Sequence, residues 1–316
     1  MESKAKACYL RPGMQTKTLA IVRPHAAGDH ELAGRLSKGF RASSQAVTMY
    51  LSSEVCVLSD EVLSGTTLLV ASPKRCIETS GDESVFLSKV ACAQKRILAS
   101  IGRVDSSGYL GRLQRGIHFD AVLDLGFASQ EDRHAEISEV PYHFVFNGPT
   151  REEELLAKEP ANPEERTIPW VLVGPKSESN RDLLGELFEQ GVDPGGFCLL
   201  QARVLSKSTA HPLLGSQGLS AVLSKARFYL WSADREAAYY ESFRFIEPLL
   251  AGTVPCKIES DLAAEGPDIP GVYASVSALQ AEIRDEGYLA MYRRARDFYI
   301  SGGRLAKNLT EALRLV

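Results

Sequence analysis

The sequence has no long apolar run. Nowhere do 18 apolar residues follow one another, and the opening MESKAKACYLRPGMQ lacks the apolar stretch of a secretion signal. No transmembrane segment is expected, and the compartment read from this is the cytoplasm. Cysteine is sparse: Cys8, Cys56, Cys76, Cys92, Cys198 and Cys256 are scattered, with no C-x-x-C pair. A chain of 316 residues needs no disulfide staples, so reduced, mostly buried thiols are expected. Basic excess is missing too. With 36 Lys and Arg against 40 Asp and Glu the net charge is −4, which disfavours nucleic acid as the main partner. No D-x-D pair and no His/Cys/Asp cluster with ligand spacing occurs, so no metal site is expected. The G-x-G-x-x-G fingerprint, the P-loop and the G-x-S-x-G elbow are also absent, which removes three common readings of an α/β chain.

What is present is two series of short strands alternating with helices. Residues 18–22 (TLAIV) form the kind of short aliphatic run that a buried parallel strand needs. A small-residue loop carrying His25, Gly28, Asp29 and His30 follows, then a helical pattern with Leu32, Ala33, Leu36 and Phe40 on one side. Residues 47–51, 67–71, 119–125 and 142–146 read as further strands, and 84–101 as a helix. The stretch 150–169 is charged in REEELLAKE and rich in proline after it, which marks a domain boundary. Its acidic run is expected to be a solvated face. The second series starts with 170–174 (WVLVG), a turn over 175–180 and a helix opened by Arg181. Residues 195–200 and 227–231 are its next strands. Near the end, Ser277-Ala278-Leu279-Gln280 reads as a capping box, 288–299 as a helix, and Gly302-Gly303 as a break. After the break, Leu305, Leu309 and Leu313 form an apolar i,i+4 stripe.

The stretch 239–260, YYESFRFIEPLLAGTVPCKIES, carries the chemistry. Phe243, Ile246 and Leu250 recur at helical spacing, Gly252 sits where a C-terminal cap needs positive φ, and Pro255 stops the helix before Cys256-Lys257-Ile258. Pro248 lacks an N–H and is tolerated in a first turn, so the helix is expected to begin at 243–245. Arg244 and Glu247, three apart, then share one face, with Glu247 in or near the first turn, where the helix dipole favours a carboxylate. A carboxylate there accepts hydrogen bonds from vicinal hydroxyls, and the guanidinium suits phosphate. The alternative is an ordinary i,i+3 salt bridge.

The run E-P-L-L-A-G-T-V-P, 247–255, resembles the E-A-x-A-x-G-x-P-V signature that closes the nucleotide site of GT-B glycosyltransferases. Ser242-Phe243-Arg244-Phe245 is similar to the S-x-R-x-x-E form of spore-maturation-type (group 1) and exostosin-like members. The resemblance covers roughly the C-terminal half. It implies that Glu247 holds the ribose of a sugar nucleotide such as a UDP-sugar, while Arg244, Ser242 and loop amides hold its diphosphate. Gly174 after its strand, with Lys176 and Arg181, looks like the G-R-x(5)-K region that grips the diphosphate, although Pro175 replaces the arginine and both basic residues are one place late. Retaining members often carry a second acid where Tyr239 stands here, with Glu241 out of register, so no stereochemical outcome is read.

The N-terminal half resembles the family in layout alone, through the loop and helix start over 28–36. His25, Asp29 and His30 are candidate bases for an acceptor hydroxyl, Asp29 being equally suited to an N-cap, and Asp124 is a weaker candidate. The implied fold is α/β, with two Rossmann-like domains facing each other across a cleft. Residues 1–150 would form the acceptor side and 168–316 the donor side, with the last helix, about 303–315, crossing back to the N-terminal domain. The implied reaction is metal-independent transfer of a sugar from a nucleotide diphosphate to a hydroxyl acceptor, whether glycan, lipid-linked or small molecule, with no cofactor beyond the donor. A sugar-nucleotide epimerase of the same fold, or a non-catalytic sugar- or nucleotide-binding protein, are the alternatives.

Overall fold

The computed structural model describes residues 18–24, 30–100, 117–126, 140–156, 163–201, 216–232, 240–260, 263 and 269–316. Strands β1 (Thr18–Arg23), β2 (Val47–Leu51), β3 (Thr66–Ala71), β4 (Lys95–Ser100), β5 (Ala121–Asp124) and β6 (Tyr142–Phe144) make one sheet, ordered β2-β1-β3-β4-β5-β6. Strands β7 (Ile168–Pro175), β8 (Phe197–Gln201), β9 (Ala226–Ser232), β10 (Val254–Ile258) and β11 (Val272–Tyr273) make a second, ordered β11-β10-β9-β7-β8. All pairings are parallel. Counted from its own first strand, the first sheet runs 2-1-3-4-5-6 and the second 2-1-3-4-5, and the winding direction reverses between β1 and β3 and between β7 and β9. Open α/β sheets bind ligands at the carboxyl ends of strands at such a reversal.

The inner strands, such as β1, β3, β9 and β10, are apolar on both faces because helices cover both. On one face of the first sheet, α1 (His30–Ala42) packs Leu32, Ala33, Leu36 and Phe40 onto Leu19 and Ile21. Helices α2 (Ser52–Val55), α3 (Asp60–Ser64), α4 (Pro73–Thr79) and α5 (Glu83–Ala91) follow, and Phe86 and Val90 of α5 pack on Val22, Leu68 and Val70 from the other side. The expected single helix over 84–101 is therefore two elements. Ile97 and Leu98 belong to β4, and a short aliphatic run has no periodicity that separates buried strand from buried helix.

The second half contributes α6 (Arg151–Leu156), α7 (Glu178–Glu189), α8 (Ser216–Leu223), α9 (Ser242–Leu250), α10 (Val276–Ser301) and α11 (Leu305–Leu315). Helix α7 starts three residues before Arg181, because Ser177 caps it by accepting the Asn180 N–H at 3.3 Å. Ser275, accepting from the Ala278 N–H at 3.2 Å, caps α10 in place of Ser277, whose hydroxyl donates to Gln190. Helix α10 presents Tyr288, Met291, Tyr292, Ala295 and Tyr299 to the second sheet. Buried Arg166 donates to the carbonyls of Leu223, Ala226 and Ala251, setting a cation at the C-terminal ends of α8 and α9.

The chain end leaves this second core. Gly303, at φ 84°, turns the chain, and α11 lies on α1, with Leu305 and Leu309 fully buried among Leu36, Phe40 and Leu19. Burial of each such leucine is worth about 1.5–3 kcal/mol, enough to hold a helix too short to be stable alone. Gly39 makes the approach possible, since a Cβ there would overlap Leu309. Of the five cysteines described, all free, Cys76 and Cys256 are buried, Cys56 and Cys92 half-buried and Cys198 exposed, so fewer thiols are buried than expected. Among the described residues no helix is long and apolar enough to cross a membrane.

Candidate functional site

The winding reversal in the second sheet lies between β7, ending in Gly174-Pro175, and β9, ending in Ser232. Asn180, buried in the first turn of α7, joins the two. Its Oδ1 accepts the Ser232 N–H at 3.2 Å, and its Nδ2 stands 3.3 Å from where a Cβ on Gly174 would be. A third element reaches the same point: Arg244 Nη1, from α9, lies 3.9 Å from that Cβ position. This Nη1 is buried and has no hydrogen-bond partner among the described residues.

Acidic groups flank the guanidinium. Glu241, the residue before α9, has one oxygen 3.7 Å from Arg244 Nε, while the other accepts the Trp231 indole N–H at 2.9 Å and lies 3.7 Å from Lys257 Nζ. Lys257 is itself buried in β10 and pairs with Glu259 at 2.5 Å. Next to them the Tyr229 hydroxyl donates to the Val173 carbonyl at 3.1 Å. Burial pushes that phenol up; Arg244 opposes the rise, and Glu247 and Glu241 add to it. Arg244, Glu247 and Glu241 therefore all act on one spot beneath the strand ends.

The sequence-derived residues fall into three groups. Gly174 and Arg244 come together at the reversal, and Glu247 reaches the same spot through its charge on Tyr229. Lys176 and Arg181 are exposed beside it. Lys176 is anchored by its own N–H to the Gln201 carbonyl at 2.7 Å, and Arg181 Nε folds back on the Ser177 carbonyl at 3.3 Å. Because α7 begins at Glu178, Arg181 is not at the helix opening where its role was expected. Ser242 turns away: its hydroxyl donates to the Leu125 carbonyl at the end of β5 and accepts from Asn147 Nδ2 at 3.1 Å. It thereby joins the two domains through the carboxyl end of the first sheet.

Helix α9 also differs from expectation. It begins at Ser242, with the Arg244 N–H on the Glu241 carbonyl at 2.9 Å, so Glu247 and Pro248 are interior and not in the first turn. Gly252 has the positive φ, 78°, that the cap needs. Asn180, Glu241, Trp231, Tyr229 and Lys257 were missed. The readable signal was Lys257, a charge inside an otherwise apolar strand.

On the N-terminal side His25 and Asp29 lie outside the described residues, and of His30, the first residue of α1, only the backbone is described. Asp124 is fully buried at the carboxyl end of β5, where it accepts from the Gly126 N–H at 2.9 Å and from the Tyr142 hydroxyl. The domains are fastened at Arg35 of α1. Its guanidinium donates to Glu153 at 2.6 Å, to the Gly148 carbonyl at 2.8 Å, to the Tyr299 hydroxyl at 3.0 Å and to Asn147, and sits 5.9 Å over the Phe243 ring. Glu153 is thus no part of a solvated face, contrary to the expectation for its acidic run. Among the described residues no group of three or more His, Cys, Asp or Glu is placed to hold a metal ion.

No family model matches the sequence, and no curated protein does. Solved structures do match. An α-glucosyltransferase in complex with UDP-glucose and DNA containing an abasic site aligns with a TM-score of 0.61 at 8% identity, over 94% of this chain and 98% of that one. A mutant of S. aureus TarM with Fondaparinux, alpha-GlcNAc-glycerol and UDP aligns at 0.49 and 11% identity, over 83% of this chain and 58% of its own. The kitacinnamycin glycosyltransferase aligns at 0.45 and 12%, over 94% and 98%. Identities this low speak for architecture alone, and the architecture is that of the first of these: two Rossmann-like α/β domains in the GT-B arrangement.

Proposed function

We propose that the protein is a glycosyltransferase that moves a sugar from a nucleotide diphosphate to a hydroxyl acceptor. The observation that carries this reading is the buried Nη1 of Arg244, which has no hydrogen-bond partner among the described residues, beside Gly174 at the winding reversal. An unsatisfied buried donor costs about 1–3 kcal/mol, and a diphosphate oxygen is an acceptor that matches a guanidinium fork. In the reaction the bond between the sugar anomeric carbon and the diphosphate oxygen breaks, and its electron pair stays on the phosphate. The acceptor oxygen bonds to that carbon and gives up its proton. Arg244 and Lys176 are assigned the growing phosphate charge, together with the N-terminal amides of α7, so that no divalent metal is required. Glu247, one turn along α9, is assigned the ribose hydroxyls. The acceptor proton is assigned to the segment between β1 and α1, with His25, Asp29 and His30 as the groups to test.

The α-glucosyltransferase that shares the architecture holds UDP-glucose, which supports UDP as the first nucleotide to try. The experiment is incubation with a panel of sugar nucleotides, followed by chromatography of the products. Steady release of the nucleotide diphosphate is the expected result. An isomerised donor would mean an epimerase, and binding without turnover a binding protein. No interaction with any nucleotide in the panel would overturn the reading.

A further inference from the structure

We propose that the groove between α1 and α11 binds a linear phosphate polyanion that carries no bases. The groove, about 420 Å³, shares no lining residue with the candidate donor site, so it stands apart from the activity proposed above. On a chain of net charge −4 its lining is strongly basic: Lys38 from α1, Arg151 from the start of α6, and Arg304, Lys307 and Arg314 along α11, against Glu311. Two of these cations are partly spent. Arg304 holds Glu154 through two hydrogen bonds of 2.7 Å, and Lys307 stands 3.9 Å from Glu311. Lys38, Arg151 and Arg314 are exposed along the same groove.

Spacing decides the kind of anion. Arg304, the residue before α11, and Arg314 in its last turn are ten residues apart, about 15 Å at 1.5 Å per residue. A single phosphate reaches one end of that row, whereas an extended chain of phosphates reaches all of it. Ala42 and Ala306 in the lining have small side chains, which suits a narrow polymer. No aromatic side chain lines the groove, so it offers no platform on which nucleic-acid bases would stack. Its concavity suits a chain in preference to a flat bilayer.

The test is calorimetric titration of the full-length protein with short-chain inorganic polyphosphate at several salt concentrations. Oligothymidylate of equal charge serves as the comparison. The variants are the double substitution Lys307→Glu with Arg314→Glu, and separately Lys38→Glu on the opposite wall. Polyphosphate should bind at low salt, and each variant should weaken it, the double variant by roughly tenfold or more with a shallower salt dependence. All three side chains are exposed, and Lys38→Glu alone decides the matter if the double variant does not fold. Absent polyphosphate binding at low salt, unchanged affinity in the variants, or tighter binding of oligothymidylate would each overturn the proposal.

Discussion

The Arg35 guanidinium lies 2.6 Å from the Glu153 carboxylate, joining the first helix of the N-terminal domain to the segment that leads into the second. Both side chains are largely buried, so each needs the other. Burial by itself would raise the Glu153 pKa, but the hydrogen bonds and charge of Arg35, aided by Thr150, hold it below the ordinary 4.5. A carboxylate depressed in the folded state contributes stability above its unfolded pKa and loses it as pH falls through the folded one. Glu153→Gln should therefore cost about 3 kcal/mol in urea unfolding at neutral pH. The gap to the wild type should narrow as pH drops below 4.5. A gap that stays constant into acid would contradict this assignment.

Ser242 separates two roles that the sequence could not. The resemblance implies a contact with the donor diphosphate, whereas the hydroxyl is engaged with Leu125 and Asn147 between the domains. Ser242→Ala should lower stability by about 1–2 kcal/mol, the cost of leaving buried partners unmet. Nucleotide affinity, read by calorimetry, should be nearly unchanged. A loss of affinity with stability intact would return Ser242 to the donor site.

The two segments that connect the domains pack backbone against backbone. A Cβ on Gly148 would overlap the Gly303 carbonyl oxygen, and one on Gly302 would overlap the Phe146 ring. We take this contact as part of the interdomain hinge. Gly148→Ala should destabilise by about 1–3 kcal/mol, the usual cost of overpacking, and should lower the thermal midpoint. A variant as stable as the wild type would show that the hinge gives way freely.

Much of the fold was legible in the residues themselves. TLAIV and WVLVG are aliphatic runs that suit strands buried on both faces, and the leucine stripe of α11 announced a helix in need of a partner. Elements without a period of their own were hidden. The helices of four to seven residues before α5 are too short to show one, and β4 follows α5 so closely that its isoleucine and leucine extended the apparent helix. Near the site, the cap at Gly252 was readable because local helix chemistry constrains it, whereas the helix start, and with it the place of Glu247, was not. Nor were Asn180, Glu153 and the true setting of Ser242. Ser242 meets Leu125 across 117 positions and Glu153 meets Arg35 across 118, contacts that no local pattern encodes.

Turnover should survive an excess of chelator, because cationic side chains and the opening of α7 are assigned the leaving-group charge. A release assay with and without chelator checks this. Activity abolished by chelator and restored by magnesium or manganese would mean that a metal carries that charge.

The most direct test is calorimetric titration of UDP into the wild-type protein, Arg244→Gln and Glu247→Ala, with unfolding curves run alongside. The wild type should bind. Each variant should keep its fold and lose roughly 1–3 kcal/mol of binding free energy, the value of a hydrogen bond to a charged group. Absent binding to the wild type by UDP and by the other nucleotide diphosphates, or unchanged affinity in Arg244→Gln, would contradict a donor site at the end of β7.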